Sequence, residues 1–307
     1  MDIDIKCNVL EAKYCIKNGM LRCVEPFVFS LTDPAKVQIE IKEMGIRVIT
    51  LSTDEKVEAR KLYAILVKLE KLLQIFDGAF VPLEGIVLHG EEEEEKYQTF
   101  VTQLIAQRLH YFASADIFSV HSDRIINYED VLSEVLFNTW QKVLDDLGVI
   151  NQMYLYATSD CGLTNDVKCA FLVELAESLI EIIGKTNVTM QKLPNEKGNL
   201  KPCLRTIIKE FGKELFAREL QYDLEKILTC LVNTRVNIMH IKINQRTPKL
   251  NGREATLYTM KMSYLYRLVI LKRLQVGENF YLENLKEKTR LMNEWNGILD
   301  ELFVKLK

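Results

Sequence analysis

Strand signals nearly vanish beyond Asn127, and a chain that mixes strands and helices before that point and carries helices after it must build two different kinds of core. Before that point, Val37-Gln38-Ile39-Glu40-Ile41 alternates apolar and polar residues, which gives a strand one buried and one wet face. After Gly45, Ile46 to Leu51 reads as its partner strand. Asn18-Gly19 lies between the β-prone segments Tyr14–Lys17 and Met20–Cys23 and predicts a hairpin, because both turn positions need positive φ. Ser52, with Glu55 three residues on, predicts a capping box and a helix from about Asp54 to Phe76, stopped at Asp77-Gly78. A strand over Phe80 to Leu88 follows. Glu91 to Glu95 then open a helix to about Phe112, since acidic residues suit the positive end of a helix dipole. Cys7, Cys15 and Cys23 are expected at inward positions on successive strands. Residues 1–127 are therefore expected to form an α+β domain of β-hairpins and helices.

Beyond Asn127 the signals are helical. Asn127 is placed to cap a helix from Tyr128 to Leu147, ended by Gly148, and Thr164 a second one to Ile183, ended by Gly184. Pro202 fits the first turn of a third, where its missing N–H costs nothing. A fourth is expected from about Glu219 into the 230s. Two long ones follow, about 254–275 and 278–305, divided at Gly277. Residues 128–307 thus read as an all-α domain of five or six helices.

Composition excludes several classes. The chain has 307 residues, 48% hydrophobic and 27% charged, enough apolar matter for packed cores. No apolar run approaches the ~20 residues of a membrane span, and the acidic start Met1-Asp2-Ile3-Asp4 is unlike a secretory signal. Seven Cys without CxxC spacing suit free thiols in a reducing cytoplasm. There is no Walker loop, GxGxxG, HExxH or GxSxG, and four His make an all-protein catalytic metal centre an unfavourable expectation. Neither a cofactor nor a membrane partner is expected.

The charge is uneven. Residues 1–200 carry 20 Lys/Arg against 31 Asp/Glu, and residues 201–307 carry 20 against 12. Within the basic part, Leu220, Leu224, Ile227, Leu228 and Leu231 form a helical stripe on which Arg235 is the next residue. An arginine where a leucine is expected needs a partner or a polar cleft. Glu174, Glu177 and Glu181 share one face of the helix after Thr164 and supply candidate carboxylates. His240 lies five residues beyond Arg235, about 140° round an unbroken helix, so the two meet only if the helix ends or distorts between them. The loop that follows carries Lys242, Arg246, Lys249 and Arg253, residues suited to a phosphodiester backbone. A structural ion pair beside a solvated acidic face is the bland alternative.

The string Asn233-Thr234-Arg235-Val236-Asn237-Ile238-Met239-His240 resembles the R-x4-6-H signature of the HEPN superfamily, and its surroundings resemble the branch at the C-terminus of ApeA-type anti-phage proteins. Phe137-Asn138-Thr139-Trp140, Phe171 to Leu179 and a closing helix Leu257 to Leu274 support the resemblance over roughly 128–307. It implies an all-α HEPN-like helical bundle that dimerises and cleaves RNA without metal. Arg235 and His240 would be the catalytic pair, Glu177 the orienting acid, and Glu174 and Asn237 supporting residues. Many members carry a polar residue directly after the arginine; here Val236 stands there and Asn237 one later. RNA cleavage by the 2′-hydroxyl needs one proton removed and one delivered, tasks imidazole performs near neutral pH. Arginine stabilises charge developing on phosphoryl oxygens. A single His240 is awkward for two proton transfers, and a two-fold homodimer that brings both chains' Arg235 and His240 into one cleft supplies two. The expected function is an endoribonuclease toxin of anti-phage defence, with residues 1–127 sensing a phage-derived trigger or regulatory partner. A non-catalytic HEPN-like module that binds RNA or protein is the alternative.

Overall fold

The computed structural model describes residues 5–14, 24–32, 36–43, 47–78, 83–109, 123–159, 162–184, 194, 196–240 and 248–307. The chain divides into two compact units, one running to Lys142 and the other taking in Val143–Thr158 and Gly162–Lys307.

The first unit is built on β1 (Lys6–Tyr14), β2 (Val24–Leu31), β3 (Val37–Glu43), β4 (Arg47–Glu58), α1 (Ala59–Asp77), β5 (Leu83–His89) and α2 (Glu94–Leu109). The strands form one antiparallel sheet in the order β2-β3-β4-β1-β5. Alternation does what the sequence predicts: Val37, Ile39 and Ile41 are buried, opposite Thr53, Leu51 and Ile49 of β4. Helix α1 packs on β4 and β1 through residues such as Leu62, Leu66, Leu69 and Leu73. It stops where expected, with Gly78 at φ 64° and its N–H on Gln74 O at 2.9 Å.

Two local expectations fail, and one lies outside the described residues. The segment from Ser52 to Glu58 extends β4 instead of starting a helix. Ser52 lies opposite both Val9 and Gln38, and Lys6 pairs with Glu58, so the sheet claims these residues. The Asn18-Gly19 turn lies outside the described residues, and β1 and β2 on either side of it are not neighbours: β1 pairs with β4 and β5. The unit also continues past Asn127. After a single 3-10 turn, Tyr128–Asp130, the helix α3 (Glu134–Leu147) begins. Its Phe137 ring meets Phe29 edge-on at 6.4 Å, and Trp140 Nε1 donates to Lys68 O at 2.7 Å. Below them Asp77 accepts from Arg47 at 2.7 Å and Arg124 at 2.9 Å, and both guanidiniums lie 5.5 Å from the Tyr128 ring. These aromatic and ionic contacts hold residues up to Lys142 in the first unit.

The second unit is helical: α4 (Val149–Thr158), α5 (Asn165–Ile182), α6 (Leu200–Phe211), α7 (Ala217–Tyr222), α8 (Leu224–Met239), α9 (Gly252–Arg273), α10 (Leu282–Glu294) and α11 (Ile298–Lys305). These eight helices, counted among the described residues, exceed the expected five or six. Helix α4 was hidden by the turn at Gly148 (φ 46°), which restarts the helix instead of ending it. The expected fourth helix is two, because the Asp223 side chain accepts from Glu225 N and Lys226 N and caps a new start. The last expected helix breaks at Trp295–Gly297, where Gly297 takes φ 65°. Helix α5 is the hub, packed against α4, α6, α8 and α9. Its buried Leu172, Val173, Leu175, Ala176 and Leu179 are the reason, each large side chain contributing about 1.5–3 kcal/mol. Among the described residues no helix is long and apolar enough to cross a membrane.

Candidate active site

Two neighbouring helices make the site. On α8, Leu224, Ile227, Leu228 and Leu231 are buried on the side that packs against α5, and Arg235 continues that stripe to the end of the helix. On α5, Glu174 stands between buried Val173 and Leu175. Their side chains, 20% and 34% exposed, meet at the rim of the core. The guanidinium grips the carboxylate with two groups: Nε donates to Oε2, and Nη2 donates to Oε1 at 2.7 Å. Hydrogen bonding to Glu174 raises the arginine above its ordinary pKa; partial burial opposes this, and the charges of Glu174 and Glu177 add to it. Arg235 is thus fixed in one plane and permanently cationic.

The fork leaves Nη1 pointing away from Glu174, and His240 lies there. Helix α8 ends at Met239. His240 caps it at φ −108°, ψ 7°, with its N–H on Val236 O at 3.1 Å. The exposed imidazole brings Nε2 to 3.4 Å from Arg235 Nη1. Helix termination and the reach of the arginine close the angular gap that a continuous helix would leave. A guanidinium only donates, so a hydrogen bond here requires the tautomer with Nε2 free to accept, the form a general base needs.

The other expected residues are placed unequally. Glu174, expected only in support, makes the contact with Arg235, whereas the exposed Glu177 acts through its charge alone. Glu177 and Glu181 also face Cys203 of α6, whose thiol is pushed up to about 11 by burial first and by those charges second. The Asn237 side-chain oxygen and nitrogen are both buried and lack hydrogen-bond partners. Lys242 and Arg246 lie outside the described residues. Lys249 is exposed, and its carbonyl accepts from Lys305 Nζ at 2.7 Å; Arg253 is exposed, 3.5 Å from Glu301. On α6 the cations are matched by acids: Arg205 binds Glu196 and Glu225, and Lys201 lies 3.1 Å from Glu225. Among the described residues the charges that act on Arg235 are therefore acidic, while Lys242 and Arg246 of the expected basic setting lie outside them.

Two residues outside the expected set hold the site together. Thr234 Oγ1 donates to Cys230 O at 2.8 Å and accepts from Leu250 N at 2.9 Å, and Asn233 Nδ2 donates to Pro248 O at 3.1 Å. They tie the start of α9 back to the motif. Nothing in their spacing signals it, since both partners are backbone groups of a loop. Among the described residues, no group of three or more His, Cys, Asp or Glu is placed to hold a metal ion.

An acid-clamped arginine and an exposed histidine at the end of a helix, set in a bundle around one central helix, define a class of all-α domain with a polar pair at a helix terminus. Residues 160–280 match the family model described as Apea-like HEPN, and the helical region carries that domain. No curated protein and no solved structure matches the chain.

Proposed function

We propose that the helical unit is a metal-independent endoribonuclease of HEPN type, acting as a toxin in anti-phage defence, with its site completed across a homodimer. The observation that carries this reading is Arg235, clamped by Glu174 and presenting Nη1 to His240 Nε2 at 3.4 Å. A phosphodiester seated against Nη1 has its non-bridging oxygens on a fixed cation, whose attraction grows as the phosphorane gathers negative charge. His240 Nε2, in its acceptor state, takes the 2′-hydroxyl proton as that oxygen bonds to phosphorus. The P–O5′ bond then breaks, and the 5′-oxygen takes a proton from an imidazolium, the role given to His240 of a second copy. The products are a 2′,3′-cyclic phosphate and a 5′-hydroxyl. Lys249 and Arg253, with Lys242 and Arg246, are assigned to the RNA backbone, and the N-terminal unit to recognition of a trigger or regulatory partner.

The test is cleavage of RNA in EDTA by the full chain and by Arg235→Ala and His240→Ala. The reading expects cleavage by the parent, a fall of about 10²–10³-fold without the guanidinium and about 10²–10⁴-fold without the imidazole. RNA binding without cleavage by the parent favours the non-catalytic module. The acidic neighbours Glu174 and Glu177 favour that second reading too, since they weaken the pull of the site on a polyanion.

A further inference from the structure

A cleft in the helical unit shares only Arg253 with the residues assigned above. It has a volume of about 580 Å³ and is lined by Thr164, Asn165 and Asp166 at the start of α5, by Gly252, Arg253 and Thr256 at the start of α9, and by Trp295 and Ile298. Its composition is unusual for a surface hollow. Trp295 is 36% exposed, whereas the other tryptophan, Trp140, is wholly buried. Ile298 is buried and gives the cleft an apolar floor. The wall between the two helices is fixed, since Asn165 Nδ2 donates to Thr256 Oγ1 at 2.6 Å and Thr259 Oγ1 donates to Asn165 O at 3.1 Å. Asp166 is half-buried at the edge and, among the described residues, has neither a hydrogen-bond nor an ion-pair partner. Arg253 lines the cleft with its side chain 58% exposed.

A flat π surface, an unengaged carboxylate and a cation around one hollow match the three parts of a nucleotide. We infer that this cleft is a guanine subsite for the RNA, an inference that rests on the ribonuclease reading and names a base its site selects. The base stacks on the Trp295 indole. The Asp166 carboxylate, which only accepts, takes the adjacent N1–H and N2–H donors of guanine. Adenine, cytosine and uracil each lack that donor pair. Arg253 meets the attached phosphate. Leu250 N donates to Thr234 Oγ1 at 2.9 Å, tying the segment that leads into α9 to the motif helix.

Intrinsic fluorescence of the full chain tests this directly, because Trp295 is the exposed indole. Titration with GMP should quench saturably, and titration with AMP, CMP or UMP should do so at least tenfold more weakly. Asp166→Asn should weaken GMP binding by about 10- to 100-fold, the loss of hydrogen bonds to a charged acceptor, and leave AMP unchanged. Arg235→Ala should bind GMP as the parent does. That control separates the two readings: saturable GMP binding by a parent chain that never cuts RNA removes the ribonuclease and with it the subsite's part in cleavage, leaving a guanine-binding cleft. RNA cleavage with equal or absent quenching by all four nucleotides overturns the subsite alone. A Trp295→Phe chain that binds GMP like the parent, by calorimetry, but loses its self-association also overturns it and makes the cleft an interface between copies.

Discussion

Glu174 offers both carboxylate oxygens to one guanidinium, and the direction of Arg235 Nη1 follows from that grip. Glu174→Gln keeps the shape and loses the charge and one acceptor. The expected result is a fall in kcat of about 10²-fold, the usual cost of a misplaced group, with KM little changed and the fold intact by circular dichroism. Glu177→Gln, which removes only a distant charge, should change kcat by a few-fold at most. Asn237 makes a different case. A buried amide without partners costs about 1–3 kcal/mol, so Asn237→Leu should raise the urea midpoint of unfolding. A lowered midpoint would show that the amide is paired in solution.

At the scale of elements, the clearest dependence on pH belongs to the first unit. Burial alone would raise the Asp77 carboxyl, but the charges of Arg47 and Arg124 and their hydrogen bonds outweigh it and hold the group below the ordinary carboxylate range. Its folded value lies below the unfolded value of about 3.9. The stabilisation is therefore complete above that value and is lost as pH falls through the folded one. Thermal unfolding followed by the buried Trp140 should show the melting temperature dropping below about pH 4. Asp77→Asn should melt lower at neutral pH and vary less over that window. A parent chain with a flat profile there would contradict the buried cluster. The same elements show what could be read from sequence. The β3 alternation, the Gly78 stop, the Thr164 start of α5 and the arginine at the end of the α8 stripe were all legible, because each depends on residues close in sequence. The run of β4 through Ser52–Glu58 was not: its local capping pattern lost to pairing with β1, which lies far off in the chain. Nor was the choice of Glu174 over Glu177, one turn apart on the same face, since it depends on how α5 and α8 are set against each other.

Across the whole molecule, charge and symmetry decide the account. Several basic residues of 201–307 are matched within the fold, in pairs such as Arg205 with Glu225 and Lys261 with Glu219, the latter wholly buried, and the surplus rests on the others. In the proposed reading RNA is held by exposed cations such as Lys249, and binding should weaken steeply with salt. In the proposed shared site the second imidazole is His240 of a second copy, so activity per chain should fall on dilution in step with dimer dissociation measured by sedimentation. An equally active monomer would refute the shared site. The chemistry itself is tested most directly by the ends of the cut RNA, analysed by mass spectrometry. Attack by the 2′-oxygen should leave a 2′,3′-cyclic phosphate on one fragment, a 5′-hydroxyl on the other, and no cut where the scissile 2′-oxygen is replaced by hydrogen. Fragments bearing 5′-phosphate, or cleavage of the deoxy substrate, would contradict it.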